Sequence, residues 1–414
     1  MPRKPIPASE PLPPELQERL DVFKKYTAEH AMLSRKDDAV TQAVWEPGGF
    51  AFLLLCGPTG VGKSELLRGV TRRMQARAQV LILGERLPLP VVLVETPAPF
   101  TYREWYERVL LALDEPIIEE VIYREVGTSP NGKKTTSGRG RASTKPLDEA
   151  PELRRAVEGA LAKRKVRALF FDEAQHLMAD GETEDLKRRW DWLKSLNNTT
   201  GVLFVLAGAY PLLKFRLVSS QAARRGTDVH FPRYRLDTPE DCSAFQGALL
   251  ALLKQACRAV SGREAKAAEL QPLMDHWPLF YRGCLGSVGV LKEWLVRTVA
   301  AALRKGDARL TLDRVREHEL VEARLAEMAT DIVAGEQQVE LDFRLARAVA
   351  QFASDGERGG SCFDRCRRSE AASHTTDKHT TRNTQTETRS RWRGNWSLVS
   401  CHPEWLSFDC SETR

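Results

Sequence analysis

No apolar run in the sequence reaches the length of a membrane span. The first residues, Met1-Pro2-Arg3-Lys4-Pro5, lack the apolar core of a signal peptide. The expectation is a cytoplasmic protein with no membrane partner. Excess charge is missing too: 62 Lys and Arg stand against 56 Asp and Glu, a net +6 over 414 residues. Any nucleic-acid contact must therefore come from local clustering rather than overall charge. Metal-ligand spacing is also wanting. Cys362, Cys366, Cys401, His402 and Cys410 fit no zinc pattern. Cys56, Cys242, Cys257 and Cys284 are scattered through apolar surroundings and read as reduced core residues. No helicase-type motif set is found, which argues against a DNA motor. What remains is a chain that is 42% hydrophobic and 29% charged, long enough for two or three domains with a real core.

The chain is organised around Gly57-Pro58-Thr59-Gly60-Val61-Gly62-Lys63-Ser64. This fits the phosphate-loop pattern of Gly, variable residues, then Gly-Lys-Ser. The apolar run Phe50 to Cys56 before it reads as a buried strand, and Leu66, Leu67, Val70 and Met74 after it share one helical face. Glycines let successive backbone N–H groups turn inward around phosphate oxygens, and the helix start adds partial positive charge. Lys63 is placed to reach the outer phosphates and Ser64 to bind Mg²⁺. The cofactors expected are ATP and Mg²⁺.

A second apolar strand, Val166 to Phe171, runs into Asp172 and Glu173. Asp172 would hold Mg²⁺ and Glu173 would polarise the attacking water. Pro90 to Glu95 and Val202 to Gly208 give further strands, with helices between them at Thr101 to Leu113, Asp148 to Arg164 and Lys187 to Leu196. Thr101 is placed as an N-cap. Strands alternating with helices imply an α/β fold with a parallel sheet, the nucleotide at the carboxyl ends of its strands.

The domain reading follows. Residues 1–14 form a flexible Pro-rich arm. Residues 15–236 form the nucleotide-binding α/β domain, whose lead-in helices would cover the base. Residues 237–335 form a smaller all-helical lid, with helices at Pro239 to Ala259, Cys284 to about Arg304 and Leu312 to Met328. Residues 336–356 are a terminal helix, and 357–414, rich in Ser and Thr, a disordered tail in which Trp392, Trp396 and Trp405 are unusual. Within 127–146, Lys133, Lys134, Arg139, Arg141 and Lys145 occur with no acidic residue. That is either a solvated loop or one that neutralises DNA phosphates without reading sequence. Arg224 and Arg225 suit an arginine finger given to a neighbouring subunit, or simply cations at a helix end. Lys292, near its helix start, either touches the outer phosphates or faces solvent.

Four stretches together resemble the TnsC/TniB group of transposon-encoded AAA+ ATPases, some from CRISPR-associated transposons. They are Gly57 to Ser64; Phe171-Asp172-Glu173-Ala174-Gln175-His176; Arg224-Arg225 before His230-Phe231-Pro232-Arg233-Tyr234; and Gly286 followed by Gly289-Val290-Leu291-Lys292-Glu293-Trp294-Leu295. The resemblance spans about residues 15–330, and its last two motifs carry the specificity. It implies an AAA+ P-loop fold with a helical lid and a bacterial, cytoplasmic protein. It further implies an ATP-bound ring or helical filament on duplex DNA that connects a TniQ/TnsD-like target-selection protein to the transposase. ATP hydrolysis would release the assembly. Lys63 and Ser64 would take phosphate and Mg²⁺, Asp172 and Glu173 would serve Mg²⁺ and water, and Arg224 or Arg225 would act in trans. One departure stands out: Ala207-Gly208-Ala209 offers no hydroxyl or amide before Tyr210. Where many AAA+ proteins orient water from that place, this predicts slow hydrolysis. The competing expectations are an initiator-like loader, a defence-system sensor, or an adaptor whose hydrolysis is incidental.

Overall fold

Five parallel strands carry the molecule: β1 (Phe52–Cys56), β2 (Val91–Glu95), β3 (Ala168–Asp172), β4 (Leu203–Gly208) and β5 (Gly226–His230), in the order β2-β3-β4-β1-β5. The structure is a computed structural model that describes residues 6–7, 10–79, 88–114, 150–178, 183–217 and 224–371. The central strands β1, β3 and β4 are buried along their whole length. Both their faces are covered, which is why Phe-Leu-Leu-Leu-Cys and Ala-Leu-Phe-Phe-Asp read as unbroken apolar runs rather than alternating ones.

The period of two then divides the core. One face of the sheet, with Leu53, Leu55, Phe170, Val205 and Ala207, shares a cluster with the lead-in helices α1 (Pro14–Lys25) and α2 (Ala31–Trp45) and with α3 (Lys63–Gln79). The other face, with Phe52, Leu54, Phe171, Phe204 and Leu206, packs on α4 (Tyr102–Ala112), α5 (Ala150–Lys163) and α6 (Thr183–Thr200). Thr101 caps α4 as expected, its Oγ1 accepting from the Glu104 N–H at 3.3 Å. Strand β5, at the sheet edge and half exposed, was not expected, because Gly-Thr-Asp-Val-His carries no apolar run.

The all-helical region follows: α7 (Pro239–Ser261), α8 (Ala267–Met274), α9 (Trp277–Cys284), α10 (Val288–Lys305) and α11 (Leu312–Arg316). Its buried residues join the first sheet face in one continuous cluster. The helix expected from Cys284 starts instead at Val288. Leu285 and Gly286 take φ of 53° and 76°, which ends α9 and turns the chain into α10. Trp294 anchors this region. It is fully buried, donates from Nε1 to the Val315 carbonyl at 2.8 Å, and lies against Phe280 at a ring-centroid distance of 5.5 Å. Replacing it by Ala leaves a large cavity, so Trp294→Ala is expected to cost about 3–5 kcal/mol in urea unfolding.

The last described helix, α12 (Glu322–Ala371), is continuous. The helix expected at 312–328 is divided between α11 and the start of α12, α12 also takes in the helix expected at 336–356, and residues 357–371, expected in the disordered tail, are helical. Its residues up to Arg344 belong to the compact unit Met1–Arg344, and the rest to the second unit, Leu345–Arg414. Within the first unit, Arg233 pairs with Glu336 at 2.9 Å and Arg216 with Asp342. Among the described residues, no helix is long and apolar enough to cross a membrane.

Candidate nucleotide-binding site

Strand β1 ends at Cys56 and α3 begins at Lys63, so residues 57–62 must turn at the carboxyl edge of the sheet. Gly60 and Gly62 make that turn with φ of 78° and 106°. The first N–H groups of α3 have no intrahelical partner and stand over the turn, an arrangement that favours an anion. Lys63 folds back along the loop: Nζ donates to the Gly57 carbonyl at 2.9 Å and the Pro58 carbonyl at 2.7 Å. Burial lowers its pKa to about 8, with Glu173 and then Asp172 opposing the shift.

Ser64 Oγ donates to Asp172 Oδ1 at 2.9 Å. Burial pushes the Asp172 carboxyl up, and the Ser64 hydrogen bond works against this. A buried carboxylate that burial disfavours, paired to a hydroxyl oxygen, is a hard-oxygen pair suited to Mg²⁺, with substrate and water completing the shell. The residues present fit that ion. Among the described residues, no cluster of three or more His, Cys, Asp or Glu could hold a metal unaided. The cysteines and histidine weighed for zinc lie in residues 362–410, of whose side chains nothing is described.

Lys63 and Ser64 line one cavity of about 660 Å³, and Asp172 is joined to it through Ser64. Residues 59–65 and Glu173 form one wall; Thr27 and His30, between α1 and α2, and Lys292 of α10 form another. Both the lead-in segment and Lys292 thus come to the loop. His30 Nδ1 accepts from the Leu33 N–H at 3.3 Å, capping α2, and from the Tyr234 hydroxyl at 2.7 Å. The proton of the neutral ring therefore sits on Nε2. Burial holds that ring neutral, with its pKa lowered to about 4. The helical region is fastened to the loop where α10 begins. Gly289 N–H donates to the Gly60 carbonyl at 2.6 Å, and a Cβ at 289 would lie 2.4 Å from that oxygen. Only glycine permits this approach. A second cavity, of about 540 Å³, lies beyond Pro58 and Thr59 between Tyr210, Leu213 and Ile332. It is mostly apolar and is lined by none of Lys63, Ser64, Asp172 or Glu173.

The AAA domain family matches residues 49–215, the span from the start of β1 to the segment after β4. The fold is the AAA+ P-loop fold. Among solved structures, the chain is similar to the ORC2 protein of Aeropyrum pernix in ADPNP and ADP complexes (15% identity, 72% of this chain and 70% of that one, TM-score 0.47). It is also similar to Drosophila ORC bound to DNA (17% identity, 77% and 69%, TM-score 0.44) and to domain III of the replication initiation protein DnaA of Thermotoga maritima (13% identity, 75% and 97%, TM-score 0.39). A comparison with curated proteins gives no match.

Within this AAA+ frame the two arginines stand far from their own loop. Arg224 and Arg225 immediately precede β5, which runs parallel to β1. They are therefore at the amino end of the strands, while the loop is at the carboxyl end. Five residues of strand at about 3.3 Å each separate the two ends by roughly 16 Å. Arg224 is exposed, and Arg225 Nη1 donates to Asn198 Oδ1 at 2.7 Å. A guanidinium here does not reach the loop of its own chain. The basic residues Lys133, Lys134, Arg139, Arg141 and Lys145 lie outside the described residues.

One polar side chain escaped the sequence. The end of β4 lacks a hydroxyl or amide of its own, but Gln175 brings an amide to it. Gln175 Oε1 accepts from the Ala209 N–H at 3.1 Å, and Nε2 donates to Glu173 Oε2. The amide bonds the sheet backbone and Glu173, and the apolar β4 terminus behind the expectation of slow hydrolysis is unchanged. The signal was present, since Gln175 sits two positions after Glu173, but its partner Ala209 is remote in the chain.

Proposed function

We propose that this chain is an ATPase that acts as an ATP-dependent regulator of DNA transposition, oligomerising on duplex DNA and connecting target-site selection to the transposase. The observation that carries the enzymatic part is the convergence of Lys63, Ser64 and Glu173 on one cavity at the carboxyl edge of the sheet, with Asp172 hydrogen-bonded to Ser64. Lys63 would neutralise the outer phosphates. Ser64 and Asp172 would hold Mg²⁺, which supplies charge compensation on the phosphate oxygens. Glu173 would orient and deprotonate water. Lys292, on the facing wall, would add a second cation to the outer phosphates.

The assembly part is supported by the placement of Arg224 and Arg225. A guanidinium at the amino end of the strands completes a neighbour's site, which makes oligomerisation a condition of turnover. The transposition part is supported by the motifs from Arg224 to Tyr234 and Gly286 to Leu295. Hydrolysis would then drive disassembly.

The test is co-sedimentation with duplex DNA in ATP, ADP or a non-hydrolysable analogue across a salt series. Large assemblies are expected with ATP or the analogue alone, weakening as salt rises. Arg224→Ala or Arg225→Ala should abolish them. Nucleotide binding without DNA-dependent assembly would remove the transposition reading and favour a loader or a sensor.

A further inference from the structure

The 3₁₀ turn Ala174–Leu177 follows β3 directly and carries Gln175 across the exit of β4. The two bonds of its amide fix which end is which. The Ala209 N–H can only donate, so Oε1 must face it. The Glu173 carboxylate accepts, so Nε2 must face it. Gln175 is therefore a two-ended strut between a backbone amide of the sheet and a carboxylate on the cavity wall. A second observation comes from the other side of the contact. A Cβ added at Gly208 would lie 2.4 Å from Gln175 Oε1 and 3.0 Å from its backbone nitrogen. The last residue of β4 is small where the amide lies over it. Glu173 itself holds φ of 51° in the left-handed region, sparsely populated by residues other than glycine. Its N–H donates to Asp172 Oδ1 at 3.1 Å. Backbone and side chain of Glu173 are thus each fixed by a specific partner.

We propose that Gln175 is the positioning residue for Glu173, and that Gly208 is small in order to admit it. The inference rests on the ATPase reading above. Nε2 of Gln175 occupies Oε2 of Glu173, which leaves Oε1 to work as the base. Oε1 accepts a proton from the water whose oxygen bonds to the γ-phosphorus. The bond from phosphorus to the ADP oxygen breaks, and its electron pair leaves with ADP. Gln175 touches neither substrate nor water; it sets where the base points.

The experiment uses the full chain as wild type, Gln175→Met, Gly208→Ala and the double variant. Methionine keeps the length and volume of glutamine without its hydrogen bonds. Melting temperature, affinity for a fluorescent ATP analogue, kcat and KM are measured. Gln175→Met should lower kcat on the order of 10- to 100-fold, the effect of losing a hydrogen bond to a charged group, with KM and affinity unchanged. A purely structural role would instead move melting temperature and affinity together with kcat. Gly208→Ala should give the same phenotype, and the double variant should be no worse than either, since both remove one strut.

A folded Gln175→Met protein with kcat unchanged or raised overturns the proposal while leaving the ATPase reading intact. Wild-type protein that binds no ATP analogue, or binds without turnover, removes the ATPase reading and the proposal with it.

Discussion

Lys63→Ala is expected to lose nucleotide affinity by two orders of magnitude or more while the protein stays folded. The ammonium is held by the Gly57 and Pro58 carbonyls, in a place where burial already lowers its pKa to about 8. An incoming phosphate offers this half-desolvated cation a charged partner in place of neutral ones. Two hydrogen bonds to a charged group, at about 1.5–3 kcal/mol each, amount to roughly 10²- to 10⁴-fold in affinity. The pH dependence follows with a definite sign. The lowered pKa leaves the amine protonated below about pH 8 and increasingly neutral above it. Wild-type affinity for the nucleotide should therefore fall as pH rises through and beyond 8, while the residual affinity of Lys63→Ala should not follow that curve. Isothermal titration at several pH values, with melting temperature as a control on folding, reads both. Equal affinity in wild type and variant would remove the nucleotide from this cavity.

The groups that were legible in the sequence are those whose partners lie close along the chain. Gly57 to Ser64 declares itself because strand, turn and helix follow in order. Asp172 and Glu173 do so because a buried strand ends on two charges. Thr101 capped its helix for the same local reason. What failed was non-local or two-sided. Strand β5 has no apolar run, since an edge strand has only one neighbour and needs little burial. The break at Leu285 and Gly286 hides inside a sequence that is helical in composition on both sides. The length of α12 hides in the same way, because polar residues can continue a helix as readily as they can leave one. Gln175 was visible within a motif and still carried no role, because its meaning depends on Ala209, brought beside it only when β3 and β4 pair. That Arg224 and Arg225 stand at the far end of the sheet could not be read, because β5, which they precede, has no apolar run to announce it.

Glu173→Gln should separate binding from turnover. The replacement keeps size and shape, and its amide oxygen can still accept from Gln175 Nε2, so the left-handed turn at 173 and the Ser64–Asp172 pair should survive. What disappears is the base. General-base loss is expected to lower kcat roughly 10²- to 10⁴-fold, with the ATP complex formed as before. A second effect follows from charge. Glu173 is the larger of the two carboxylate influences that hold the Lys63 pKa up against burial. Neutralising it lowers that pKa further, so the fall in nucleotide affinity with rising pH should begin below pH 8. On duplex DNA the variant then tests what hydrolysis is for. If hydrolysis times release, Glu173→Gln with ATP should stay on DNA as wild type does with the non-hydrolysable analogue, and a salt jump should be needed to remove it. If it leaves DNA as fast as wild type despite its lost turnover, hydrolysis is not the timer, and the ATP site serves mainly to hold copies together.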